Sequence, residues 1–194
     1  MSNKNFESTK YNSLVRKVVR DVTKVIKSGS SGLFILPEHF SDEITYRYSG
    51  LGTEFEVTVV VFKDNTVTDF ELCGGYYSDD NEIELVVKYN PEKFPKMLYE
   101  FIGEVNEVFS HELQHLIQDV NGRLTKPKSN VSPLQYYLES NELESQFVGF
   151  KRRSKVSGVP MSKLVENWVS KYGLNMGLDI EDTKILTDKI VSYR

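Results

Sequence analysis

The sequence predicts an α+β fold with a mostly antiparallel sheet, and three observations lead to this class. Residues 8–28 carry apolar side chains at helical spacing. Residues 33–90 change to short apolar or alternating runs that are rich in β-branched residues. From residue 95 the helical period returns. Strands that are grouped before helices favour an α+β arrangement over alternating βαβ units.

The first predicted helix, residues 8–28, has one apolar stripe and ends in a Ser- and Gly-rich stretch. The strand-rich region that follows, residues 33–90, contains several strand candidates. We expect residues 55–62 and 67–72 to pair as a hairpin. Residues 82–89 alternate between apolar and polar, which is typical of a strand with one buried and one wet face. The remaining candidates are residues 33–36 and 43–48.

The helical half, residues 95–194, is predicted to hold four helices. The first spans residues 96–120, with Pro95 near its first turn and Asn121-Gly122 as a C-terminal stop. No internal repeat or low-complexity linker divides the sequence, so we expect a single domain over residues 1–194. The other three helices are predicted at about 134–155, 161–172 and 180–193.

Composition argues against several functional classes. The net charge is −4 and the pI is about 5.5, which is unfavourable for a nucleic-acid partner. The short basic run Lys151–Arg153 with Lys155 is typical of a solvated helix face. No run approaches the ~20 apolar residues of a membrane span, and residues 1–12 lack a signal-peptide stretch. The single cysteine, Cys73, cannot form an internal disulfide and is predicted to be buried. We therefore expect a cytoplasmic protein without a membrane or nucleic-acid partner.

Residues 111–115 read His-Glu-Leu-Gln-His within the predicted helix 96–120. Residues four apart on a helix share a face, so His111 and His115 can bind one zinc ion together. Glu112 lies at the edge of that face, where it can reach a water molecule, as a general base must. The alternative is a helix with two ordinary histidines. The sequence holds 3 histidines in all, so the pattern rarely arises by chance, and we favour the metal site.

Two histidines leave a catalytic zinc site incomplete, because three protein ligands are usual. His39 is the other histidine, and it lies far upstream in a predicted loop. Residues 139–145 read Glu-Ser-Asn-Glu-Leu-Glu-Ser on a later helix that can return beside the first. Glu142 is the preferred third ligand. Glu139, which shares its helix face, and Glu144, which points elsewhere, remain alternatives.

With these two motifs the sequence resembles the zincin metallopeptidases of the gluzincin type. In that group the downstream ligand is a glutamate, often within Asn-Glu-x-x-Ser or Asn-Glu-x-x-Ala, and residues 141–145 fit this pattern. The resemblance implies a zincin-like fold in which His111, His115 and Glu142 hold zinc. It also implies that Glu112 activates zinc-bound water to cleave a peptide or protein substrate.

The resemblance further implies that an extended substrate lies along an edge strand before the active-site helix, which maps onto residues 81–89. One departure concerns the residue that orients a ligand histidine. Gluzincins of the thermolysin kind place an aspartate directly after the Ser of the second motif, where this sequence has Gln146. Asp119, Glu144 or a backbone carbonyl would have to serve instead.

A second departure concerns the oxyanion. The same relatives use a downstream histidine, and no histidine follows His115 here. The candidates to replace it are Tyr136, Tyr137, Arg152 and Arg153.

These departures keep several alternatives open. The first is a non-catalytic zinc-binding or virion-associated protein with a degenerate site, which the missing aspartate and oxyanion histidine favour. The arrangement of Pro133, Tyr136, Tyr137 and Glu142 also resembles small metallopeptidase-like proteins of bacteria and their phages. A phage-encoded chain would then be virion-associated rather than cytoplasmic. The others are an interaction protein with a chance motif, and a hydrolase of another bond, such as an amidase or deamidase. The sequence leaves the oligomeric state open.

Overall fold

The computed structural model describes residues 8–30, 41–50, 53–125 and 130–193, and these residues form an α+β fold, as predicted. Six helices and one four-stranded mixed sheet lie within this part of the chain. The strands are β1 (Ser41–Gly50), β2 (Thr53–Lys63), β3 (Phe70–Tyr77) and β4 (Glu82–Tyr89). The helices are α1 (Ser8–Ser30), α2 (Phe94–Val120), α3 (Pro133–Tyr137), α4 (Ser140–Ser157), α5 (Met161–Tyr172) and α6 (Ile180–Ser192).

The strand order is β1-β2-β4-β3, with β2 and β4 parallel and the two outer pairings antiparallel. The predicted hairpin between residues 55–62 and 67–72 is therefore wrong, since β3 pairs with β4 instead. Burial of the central side chains explains this order of the strands. Val59 and Leu85 are opposite each other on the two central strands and are fully buried. The Cys-Gly-Gly run of β3 offers little to pack on both faces, which suits an edge position.

The strand that packs most closely against α2 is β3 and not β4. The predicted edge strand at residues 81–89 is thus wrong, because β4 lies inside the sheet. Gly74 allows β3 to approach α2 closely: a Cβ atom there would lie 2.8 Å from Cγ1 of Val108 and 3.0 Å from Cγ of Glu112. Cys73 points to the opposite face and is exposed, contrary to the expected burial.

Two apolar cores hold the helices. The first lies between α1, the sheet and α2, and includes the fully buried Phe101 and Phe109. The second lies among α4, α5 and α6 around Phe150 and Leu186. Helix α2 belongs to the first core and packs along α4, which begins the second. The long α2–α4 contact therefore determines which side chains of the two helices meet.

The predicted helix at residues 134–155 is two helices in the structure. Glu139 has an extended backbone, with ψ of 140°, and separates α3 from α4. Ser132 starts the short α3, because its side chain accepts from the Gln135 backbone while the Gln135 side chain accepts from the Ser132 backbone. Residues 33–36 and His39 lie outside the described residues. Among the described helices, none is long and apolar enough to cross a membrane.

Candidate metal centre

Three side chains from α2 and α4 converge on one point. His111 and His115 lie one turn apart on α2, and their Nε2 atoms are 3.1 Å from each other. The first turn of α4 brings Glu142 against them. Its Oε1 lies 3.4 Å from Nε2 of His111 and its Oε2 lies 3.3 Å from Nε2 of His115. All three side chains are at least four-fifths buried, with exposures of 14%, 14% and 8%.

These distances between nitrogen and oxygen atoms fit a metal ion with tetrahedral coordination. Zinc binds nitrogen and oxygen at about 2.0–2.2 Å, so two ligands at the tetrahedral angle are about 3.3 Å apart. Glu112 belongs to the same group, since its carboxylate and the two imidazoles lie within 4.8 Å of one another. However, Glu112 Oε1 is 4.0 Å from His111 Nε2. Glu142 is closer to both imidazoles, and distance therefore favours Glu142 over Glu112 as the third ligand.

The other ligand candidates are placed less favourably. Glu144 is turned away from the imidazoles, because its Oε2 accepts from Gln118 at 3.0 Å and from Arg123 at 3.1 Å. Glu139 lines the same cavity, and its Oε1 is buried without a hydrogen-bond partner among the described residues. No contact joins Glu139 to the two imidazoles in the described part of the chain.

Gln118 orients the ring of His115, which the sequence did not predict. Its Oε1 lies 3.0 Å from Nδ1 of His115, and its Nε2 donates to the carbonyl of Asn141 and to Glu144. Ser145 Oγ also lies 3.3 Å from the same ring nitrogen. Both Gln118 and Ser145 are fully buried. The sequence spacing could have identified both residues as neighbours of the ligands, since each follows a ligand candidate by one helical turn.

This network determines which nitrogen of His115 carries the proton. Because the Gln118 amide nitrogen faces two acceptors, its oxygen faces the ring and must accept from Nδ1–H. In the neutral imidazole, Nε2 of His115 then presents a lone pair to the Glu142 carboxylate and to His111. A lone pair and a carboxylate oxygen at 3.3 Å repel each other unless a cation lies between them. The site therefore requires a proton or a metal ion at this point.

Glu142 is held by two donors of its own. Gln146 Nε2 donates to Oε1 at 3.0 Å, and the Tyr136 hydroxyl donates to Oε2 at 3.2 Å. Gln146 thus supports the carboxylate and does not replace the aspartate that orients a histidine in thermolysin-like enzymes. Asp119, one of the expected orienting residues, instead accepts from the Tyr76 hydroxyl at 2.7 Å. Asp119 therefore does not orient a ligand histidine, contrary to the expectation. Glu144 accepts a hydrogen bond from Gln118, which in turn contacts the ring of His115.

Burial and neighbouring charges set the protonation of the site. Burial lowers the pKa of His111 to about 4, so this imidazole is neutral at pH 7 and free to bind a cation. For His115, burial acts in the same direction, but the Glu142 carboxylate outweighs it and raises the pKa. Burial would raise the pKa of Glu142, yet the two imidazoles lower it to about 2. Glu142 is thus ionised and supplies the negative charge of the cluster.

Glu112 has the properties of a proton acceptor. Burial raises its pKa to about 7, which is close to the working pH of a general base. The Tyr76 backbone N–H of β3 donates to this carboxylate. Gly74, two residues earlier, gives β3 the close approach that this bond needs. Helix α2 and the edge strand together hold Glu112 beside the two imidazoles.

A cavity of about 400 Å³ opens onto these groups. Its lining includes Gly74, Gly75 and Tyr76 of β3 and four carboxylates, and no lysine or arginine among the described residues. Of the four candidates for oxyanion stabilisation, Tyr136 alone lines the cavity in the described part of the chain.

The other three candidates have different surroundings. Tyr137 packs edge-on against Trp168 in the second core. Arg152 bonds to Asn106, and Arg153 pairs with Glu104 and Glu107. The basic run that includes both arginines is thus not simply a solvated face, because each arginine is partly buried against α2.

Comparison with known proteins adds no relative to this picture. No protein-family model matches the chain, and no curated protein or solved structure matches it.

Proposed function

We propose that this chain is a zinc-dependent hydrolase, a metallopeptidase of the gluzincin type, with Glu112 as its general base. The observation that carries the proposal is the convergence of three ligand groups. Nε2 of His111, Nε2 of His115 and the Glu142 carboxylate lie 3.1–3.4 Å from one another. The Gln118 contact leaves the His115 lone pair directed into that group. Two imidazoles and a carboxylate are a usual ligand set of catalytic zinc.

A bound zinc ion would lower the pKa of a water molecule to about 7 and polarise the substrate carbonyl. The chain's own residues provide the rest. Glu112 takes a proton from the attacking water on its carboxylate and passes it to the leaving amine. Burial raises the pKa of this carboxyl in the metal-free protein, which favours the uptake of a proton from water. Tyr136, which lines the cavity, is the candidate to donate a hydrogen bond to the oxygen that gains charge, and its single hydroxyl proton would then turn away from Glu142.

The edge of β3 supports a peptide as the substrate. Within the described sheet, β3 pairs with β4 on one side only. Gly74, Gly75 and Tyr76 of this strand line the cavity. An extended peptide can add to such an edge through its main chain, which would place a carbonyl near the imidazoles. The four carboxylates of the lining favour a substrate segment that is neutral or positively charged.

The alternative of a non-catalytic zinc-binding or virion-associated protein predicts a bound metal without turnover. A hydrolase of another amide bond, such as an amidase or deamidase, predicts the same metal and the same base. An interaction protein with a chance motif predicts no metal, and a proton on His115 would then pair with Glu142. Metal content and turnover together separate these possibilities.

The experiment compares wild type with Glu112→Gln, His115→Ala and the control Glu100→Gln, an exposed glutamate on the same helix. Elemental analysis should find about one zinc per chain in all but His115→Ala. Cleavage of a mixed peptide library, stopped by a chelator, should be lost in Glu112→Gln by about 10²–10⁴-fold and kept in Glu100→Gln. Zinc without cleavage of any peptide would support the non-catalytic alternative. A wild type that binds no zinc would overturn the proposal.

A further inference from the structure

A second and larger cavity lies against α2 and α4, away from the candidate metal centre. It has a volume of about 700 Å³ and is bounded by α1, α2 and α4. Its lining shares no residue with the candidate metal centre. Ile102 and Asn106 of α2 line it, about two and a half and one and a half turns before His111. The two cavities are thus separate places in the fold.

The lining of this cavity is strongly basic. Six cationic side chains and no carboxylate line it among the described residues. This runs against the composition of the chain, whose net charge is −4. The six residues are Arg16, Arg20, Lys24, Lys27, Arg152 and Lys155.

Most of these cations lack a carboxylate partner. Arg20 lies 3.2 Å from Asp21, but no ion pair joins Arg16, Lys24 or Lys155 to a carboxylate of the described residues. Arg16, Arg20 and Lys24 also follow one another at four-residue spacing on α1, a spacing at which like charges repel each other. An anion in the groove would reduce this repulsion.

Arg152 is the best-positioned cation of the groove. Its Nε donates to Oδ1 of Asn106 at 3.2 Å, and its Nη1 donates to Asn12. Asn106 is itself fixed, because its amide nitrogen donates to the Ile102 carbonyl at 2.8 Å. Neutral amide oxygens thus orient the partly buried guanidinium without neutralising it. A planar, oriented guanidinium with its charge uncompensated is suited to bind a phosphate group.

The floor of the groove is apolar, with Val19, Ile102 and Val156 in its lining. The ligand must therefore combine an apolar body with negative charge. The volume lies in the range of small-molecule pockets, which is about 300–1,000 Å³. We propose that this groove binds a small phosphorylated organic molecule of nucleotide size, with its phosphates on the cationic rim and its apolar body on the floor.

The test measures binding of ATP by isothermal titration calorimetry, with adenosine, inorganic tripolyphosphate and a hexaglutamate peptide as comparison probes. Chelator-treated protein is used throughout, so that binding of ATP to a metal at the other cavity makes no contribution. ATP should bind at least about tenfold more tightly than any of the three other probes. Similar affinity for adenosine, tighter binding of hexaglutamate or no saturable ATP binding would each overturn the inference.

A matched pair of double variants tests the location. Lys24→Gln with Lys155→Gln removes two exposed cations of the groove. Lys151→Gln with Lys163→Gln removes two exposed cations elsewhere on α4 and α5. The first variant should weaken ATP binding by about tenfold or more, and the second by less than about twofold. Equal losses in the two variants would contradict the assignment. Circular dichroism verifies that both variants are folded.

Discussion

The amide oxygen of Gln118 lies 3.0 Å from Nδ1 of His115, and this contact directs the opposite nitrogen of the ring toward Glu142. Gln118 is in turn held by the Asn141 carbonyl and by Glu144. One glutamine thus links the two helices that carry the metal-ligand candidates. It takes the role that a carboxylate next to a ligand histidine often has.

Replacing Gln118 by leucine should weaken zinc binding by about 10–100-fold, because the His115 ring loses the acceptor that fixes its tautomer. Competition with a zinc-binding dye measures the dissociation constant. Asp119→Asn is the control, since Asp119 bonds to Tyr76 and not to a ligand candidate. Equal affinities for Gln118→Leu and wild type would show that the contact does not orient a metal ligand.

Tyr136→Phe should lower kcat by about a hundredfold and leave the zinc content unchanged. The phenol lines the cavity and donates to Glu142 at 3.2 Å. During the reaction its one proton would turn to the developing negative charge, and the variant lacks this donor. Tyr137→Phe is the matched control, because Tyr137 packs against Trp168. A fall in zinc content with unchanged kcat of the metal-loaded protein would limit Tyr136 to holding Glu142.

Gly74→Ala should destabilise the protein by about 1–3 kcal/mol and reduce turnover. The new Cβ would lie 2.8 Å from Val108 and 3.0 Å from Glu112, so β3 or the Glu112 side chain must move. Chemical denaturation and peptide cleavage measure the two effects. Gly75→Ala is the control, because its Cβ would meet its nearest neighbour, the Tyr77 ring, at 3.5 Å. Similar losses in both variants would refute the close-approach argument.

Arg153→Met should reduce the free energy of unfolding by about 3–5 kcal/mol at pH 8 and by clearly less at pH 5. Arg153 lies 2.8 Å from Glu107 and 3.4 Å from Glu104, and the three side chains are largely buried, with exposures of 13%, 9% and 12%. Burial raises the pKa of Glu107 from 4.5 to about 7 even beside the arginine, and it also raises the pKa of Glu104.

The sign of this pH effect follows from proton binding. A folded-state pKa above the unfolded value means that the folded protein binds more protons between about pH 4.5 and 7. The stabilising contribution of Glu107 is therefore complete below this window and is lost as the pH rises through it. Without Arg153, the loss of stability with rising pH becomes larger. Urea denaturation at both pH values, with the exposed Lys151→Met as control, tests this. An equal loss at pH 5 and pH 8 would contradict the argument.

Most helices were predictable because their apolar spacing and their end signals agree, whereas the predicted helix at residues 134–155 is divided at Glu139. Helix α2 begins and ends within two residues of the expected range, with proline in its first turn and Asn121 at its C-terminal end. Strand pairing was not predictable in the same way. Alternation shows that β4 buries one face, and β-branched residues indicate β2, but neither pattern shows that Val59 and Leu85 are neighbours. Register between distant segments depends on packing that no local pattern records.

The candidate site likewise has features that the sequence predicts and features that it does not. The sequence by itself determined that His111 and His115 share a helix face with Glu112 beside them, because helical geometry fixes positions one turn apart. Only the tertiary structure decided the rest: the α2–α4 packing brings Glu142 to within 3.4 Å of both imidazoles and places Gln118 behind His115. It also made β3 the edge strand of the sheet, in place of the expected residues 81–89. These relations join side chains from different elements, and their distances follow from how the cores pack, which the linear pattern does not contain.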